Sequence, residues 1–109
     1  MMSEFAGTLK ERILIERPTT TRTATGLQES GWEKVASCLA AVRLEGVGAE
    51  SEGQALSAMA KLRVTVRRRA GIAIDQRIRW GARTLMIRQL LDDPTLPDRL
   101  ILRCEESRS

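Results

Sequence analysis

Apolar and polar positions alternate with a period of two in four short runs of the second half of the chain. These are Leu62-Arg63-Val64-Thr65-Val66-Arg67, Arg77-Ile78-Arg79-Trp80, Thr84-Leu85-Met86-Ile87-Arg88 and Arg99-Leu100-Ile101-Leu102-Arg103-Cys104. Successive side chains of a strand point to opposite faces, so each run places aliphatic groups on one side and arginines on the other. Ala70-Gly71-Ile72 and Gly81-Ala82 separate the first three, and Asp92-Asp93-Pro94-Thr95-Leu96-Pro97-Asp98 makes a turn before the last. In the first half, residues 11–17 alternate around Ile13 and Ile15, and this strand is predicted to stop hard at Pro18. Residues 32–45 carry an even-numbered apolar set, Cys38, Ala40, Val42 and Leu44, with Arg43 and Glu45 opposite. That pattern favours a strand over the helix that Leu39-Ala40-Ala41 would also permit.

The intervening segments read differently. Residues 19–31 are threonine-rich and lack apolar periodicity, which predicts a long exposed loop or a β-arm. Residues 46–53 form an acidic, glycine-rich loop, and residues 52–60 are expected to make one or two helical turns. Residues 1–8 read as a loose leader and 105–109 as a fraying tail. A sheet that is greasy on one face and cationic on the other must curl on itself or be covered. The expectation is an all-β fold: a small antiparallel β-barrel or sandwich with at most one short helix. It is a single domain over residues 1–109, with long loops at 18–31 and 46–58.

At 109 residues the chain has length for one modest core. Phe5, Trp32 and Trp80 are its only aromatic residues, so that core must come from Val, Ile, Leu, Met and Ala. Surface buried against a partner subunit would supplement so thin a supply. Cys38 and Cys104 lie on apolar-patterned segments and read as buried thiols rather than a disulfide. With no histidine and two cysteines, neither a metal site nor a cofactor is expected. No apolar run approaches membrane-spanning length, and Glu4, Lys10, Glu11 and Arg12 interrupt any signal-peptide pattern. A protein made and kept in the cytosol, away from membranes, is expected.

Net charge is +4, and fifteen of the eighteen basic residues are arginines. An arginine-rich strand face has three readings: a solvated surface, a nucleic-acid surface, or an interface with acidic protein. The run Arg67-Arg68-Arg69 divides the same way, between a solvated turn and contact with DNA phosphate or an acidic partner. Trp80, next to Ile78, reads as core, whereas Trp32 either caps the barrel or anchors a neighbouring subunit. Asp92, Asp93 and Asp98 sit in a Pro-flanked turn that should be wet, which is wrong for a catalytic carboxylate pair. No nucleophile with a base and no phosphate cradle is present, so the chain is not read as an enzyme. A small OB-like barrel binding single-stranded nucleic acid suits the size and charge. The shortage of aromatic stacking platforms argues against it.

The order of features resembles the phage head–tail joining proteins, also called head-closure, stopper or adaptor proteins, including their gene-transfer-agent versions. The resemblance opens at Leu9-Lys10-Glu11-Arg12-Ile13-Leu14-Ile15-Glu16-Arg17 and continues through Gly31-Trp32, Val35-Ala36 and Ala40-Ala41-Val42. It passes along Leu62-Arg63-Val64-Thr65-Val66-Arg67, Gly71-Ile72, Arg77-Ile78-Arg79-Trp80-Gly81 and Leu85-Met86-Ile87. It closes with Asp92-Asp93-Pro94, Leu100, Leu102 and Cys104-Glu105. One departure is aliphatic: the family often carries an aromatic where Leu85 or Met86 stands.

What the resemblance implies is a structural protein of the virion, assembled in the bacterial cytoplasm as a six- or twelve-fold ring of itself. Such a ring sits beneath the portal or adaptor proteins, retains packaged double-stranded DNA, and docks tail-terminator or tail-tube proteins. The residues expected at the subunit interface are Trp32, Arg63, Arg67, Arg69, Glu50 and Glu52. Gly46, Gly48 and Gly53 are expected to give hinge freedom to a channel-lining loop spanning residues 46–58.

Overall fold

The computed structural model describes residues 9–47 and 59–107. They form six strands: β1 (Glu11–Arg22), β2 (Gln28–Val47), β3 (Ala60–Arg67), β4 (Arg77–Trp80), β5 (Arg83–Asp92) and β6 (Arg99–Glu106). The strands close into an antiparallel barrel in the order β1-β2-β3-β6-β5-β4, with β4 returning to β1. Closure removes the open sheet edges that a two-faced sheet would otherwise expose. The four alternating runs of the second half become β3 to β6, and no helix occurs among the described residues.

Alternation decides the interior. Ile13 and Ile15 from β1, Ala40 from β2, Leu62, Val64 and Val66 from β3, and Ile78 from β4 are buried together. Leu85 and Ile87 from β5 and Leu100, Leu102 and Cys104 from β6 complete the cluster. Burying each of the Val, Leu and Ile side chains stabilises the fold by ~1.5–3 kcal/mol. Gln76 lies buried just before β4, and its amide nitrogen donates to the Gly71 carbonyl at 2.8 Å. At the other end of β4, the Trp80 indole N–H donates to Glu11 at 3.1 Å. Trp80 is therefore a rim residue, half-buried against the core and polar at its edge, rather than a central one.

Two expectations change. Pro18 does not end the first strand: it pairs with Trp32 in the middle of β1. It lies beyond Glu16, the last β1 residue flanked by β4, and proline is tolerated on such an exposed edge. Residues 19–31 are thus the β-arm of the two alternatives, a two-stranded ribbon continuing β1 and β2 past the barrel. Leu44, assigned to the apolar interior, is exposed. The β1 ladder starts at Glu11 opposite Ala40, so β2 overhangs there with no neighbour on that side. The helical turns expected at 52–60 lie outside the described residues except for Met59, which is irregular, and Ala60, which is strand.

Candidate functional site

Two surfaces carry chemistry, the arm and the arginine face of the barrel. The arm turns at residues 23–27, where the Thr23 N–H donates to the Leu27 carbonyl at 2.7 Å and the Gly26 N–H to the Thr23 carbonyl at 3.0 Å. Gly26 takes φ +88°, a conformation that side-chain-bearing residues rarely adopt. Leu27 at this tip is 67% exposed. At the root of the arm the Arg77 guanidinium lies 4.1 Å over the Trp32 ring, and Arg77 Nε donates to Glu16 at 2.6 Å. Arg17 and Glu33 pair across the same ribbon at 3.2 Å. Trp32 is thus neither a barrel cap nor bare: one face is covered by a cation, and 38% of the residue remains exposed beside the arm.

On the barrel, register lines up the outward residues of β2, β3 and β6. Arg43 pairs with Arg63, which pairs with Arg103. Like charges directly opposite one another are destabilising. Glu45 offsets part of this by receiving Arg63 at 2.9 Å and Arg103 at 3.3 Å. One step along, Glu105 lies between Lys61 at 4.0 Å and Arg88 at 3.3 Å. Arg83 makes a two-pronged contact with Glu106 at 2.9 and 2.7 Å. Arg12, Arg43, Arg67, Arg69 and Arg79 make no ion pair among the described residues.

The residues expected at an interface are therefore dispersed. Arg63 lies on the outward face of β3, paired to Glu45. Arg67 ends the same strand, exposed, in register with Arg99. Arg69 is exposed in the following turn. Its charge acts on Cys38, whose thiol burial pushes above its ordinary pKa while Arg69 and Arg12 pull it back. Glu50, Glu52, Gly48 and Gly53 lie outside the described residues, as does all of the expected channel loop beyond Gly46 and Val47. Gly46 belongs to β2, at φ +153° beside the irregularity in the β2–β3 register.

Sequence reasoning missed the role of Arg68. Its side chain reaches back to Asp92, to the Pro97 carbonyl at 3.0 Å and to the Arg99 carbonyl at 3.3 Å, while its N–H donates to Asp98 at 2.8 Å. Asp93 accepts from the Thr95 N–H at 2.9 Å and hydroxyl at 2.7 Å, and these bonds hold its carboxyl below the usual range. The acidic turn, read from the sequence as wet rather than catalytic, is thereby a structural clip, fastened over the outside of β6. Between this clip and β2 runs a groove of about 380 Å³ lined by Lys10, Glu11, Ala41, Val42, Arg43, Arg63, Thr65, Asp93, Leu96, Arg99 and Ile101. The one available signal was the pairing of three arginines with three aspartates, which says nothing of which arginine folds back onto the turn. Of the two thiols, Cys104 is fully buried and its pKa is pushed up to about 12, and both cysteines are free.

Comparison with known proteins matches this architecture. The family of the phage head completion proteins matches residues 6–107. The solution structure of protein SF1141 from Shigella flexneri 2a is similar at TM-score 0.71 and 29% identity, covering 94% of this chain and 96% of that one. A chain of the virion of a native gene transfer agent particle is similar at TM-score 0.68 and 21% identity, covering 93% and 97%. Among curated protein sequences none matches.

Proposed function

The chain belongs to the phage head completion protein family, and we propose that it works as a ring at the head–tail joint of a phage or gene-transfer-agent particle. In this reading the ring lies beneath the portal or adaptor, retains packaged DNA and offers a docking surface to the tail. Its role is structural rather than catalytic. The observation that carries the proposal is the arm. A two-stranded ribbon is marginal alone in water, yet this one projects beyond the barrel, braced at its root by Arg77, Trp32 and Glu16. Such an arm is suited to lie against a neighbour, and a ring of identical subunits needs one patch to meet a different one.

The exposed Arg67, with Arg63 and Arg69 beside it, is assigned to contacts made in the particle. Arg67→Glu should then block incorporation while leaving the purified chain folded; normal tailed particles carrying it would remove that face from the interface. Binding of single-stranded nucleic acid has less support. The barrel has six strands rather than the five of an OB-fold, and Arg77 occupies one face of Trp32. The test of the whole reading is electron microscopy of particles from a strain lacking the gene. Free tails beside tailless, largely empty heads are expected; complete DNA-delivering particles would overturn it.

A further inference from the structure

We propose that the groove beside the 93–98 clip receives the arm tip of a second copy of this chain, with Leu27 on its apolar floor and Glu29 against Arg43 and Lys10. The inference rests on the ring reading above and names the contact that would build the ring.

The groove is two-toned. Ala41, Thr65 and Ile101 are consecutive register partners across β2, β3 and β6, and they form a small-and-apolar floor walled by Leu96. Lys10, Arg43, Arg63 and Arg99 stand around it, against two carboxylates, Glu11 and Asp93, that already accept hydrogen bonds from Trp80 and Thr95. Arg63 is paired to Glu45 and Arg99 to Asp98, while Arg43 and Lys10 have no ion pair among the described residues. An occupant must therefore bring an aliphatic side chain and, beside it, a carboxylate. Duplex DNA brings charge but nothing to cover the apolar floor and the Leu96 wall.

The arm tip has that chemistry. Leu27 is the most exposed large apolar residue among those described, and Glu29, two residues on, is exposed with no ion pair among them. Residues directly opposite in an antiparallel pair share a face, so Thr19, Thr21, Glu29 and Gly31 lie on one side of the ribbon and Arg22 with Gln28 on the other. The side bearing Glu29 thus keeps the tip's cation away from the basic groove, and Gly31 leaves it flat. Tip and groove also belong to opposite ends of one strand. The thirteen steps from Gln28 to Ala41 span roughly 43 Å when extended, in a molecule 59 Å long. A copy cannot seat its own tip; it can seat its neighbour's, and head-to-tail contacts of this kind close into a ring when the rotation between copies closes.

The test uses particles carrying Leu27→Cys and Thr65→Cys in the same chain. Mild oxidation should give a ladder of covalent multimers on a non-reducing gel, absent with either substitution alone. A wild-type number of copies at the joint without a ladder would overturn the arm–groove contact and leave the ring standing. A single copy at the joint would overturn both. Charge exchange supplies the second readout. Glu29→Arg and Arg43→Glu should each lower incorporation about tenfold or more, and the double variant should recover most of it. A double variant as poor as the product of the two singles would contradict the contact. So would Arg43→Glu abolishing binding of a labelled DNA duplex when the cysteine pair gives no ladder, which would make the groove a DNA surface.

Discussion

The barrel and the arm share strands β1 and β2, yet they are held by different forces. Within the barrel, β1 and β2 turn aliphatic groups onto the shared core, Ile13, Ile15 and Ala40 among them. Where they have only each other, the sequence turns to threonine and glycine, and what remains is a ladder braced by Arg77 on Trp32 and by Arg17 with Glu33. The first region is stabilised from within. The second contributes little to folding, and its value lies in what it can touch.

That contrast predicts a graded set of effects. Leu102→Ala, at the centre of the core, should lower unfolding free energy by ~2–5 kcal/mol, read from urea denaturation followed by tryptophan fluorescence. A loss under 1 kcal/mol would mean that the interior is less tightly packed than its burial indicates. Cys104 gives a pH test of the same interior. Its folded pKa is raised from 9.0 to about 12 by burial, so the unfolded thiol ionises first as pH rises. The contribution is complete below the unfolded value and is lost on the way up to the folded one, at ~1.4 kcal/mol per pH unit. Urea midpoints should fall over that window, and Cys104→Ala should flatten the fall.

Effects shrink toward the surface. Arg68→Ala should cost about 1 kcal/mol, since the arginine is half exposed and its ion pair with Asp92 is screened. It should also speed amide exchange at Leu96 and Arg99, whose N–H groups close the clip. Unchanged exchange there would mean that the clip holds without Arg68. Smallest of all, replacing residues 20–30 by Asn-Gly, a turn suited to a two-residue hairpin, should change stability by under ~0.5 kcal/mol while stopping incorporation into particles. A large loss of stability would erase the distinction between the two regions.

The parts of this account readable from the chain are those that depend on local period. Strands β3 to β6 and the arginine faces follow from alternation alone, because a closed sheet needs that pattern wherever one side is buried. What alternation does not encode is which positions lack a neighbour. Pro18 looks like a stop until the β1–β4 pairing is seen to stop at Glu16, and Leu44 looks like core until β1 is seen to begin opposite Ala40. Arg68 was hidden for a similar reason. Three consecutive arginines look alike in sequence, and only the return of the 93–98 turn across β6 singles out the middle one. The groove is a product of the same long-range contact and has no signature in any one segment.

The most direct measurement is a cryo-electron microscopy reconstruction of the head–tail joint of particles containing this chain. The account predicts a closed ring of identical six-stranded barrels, each with its arm laid on the next. Barrels placed elsewhere in the particle, or present at the joint without touching one another, would contradict it.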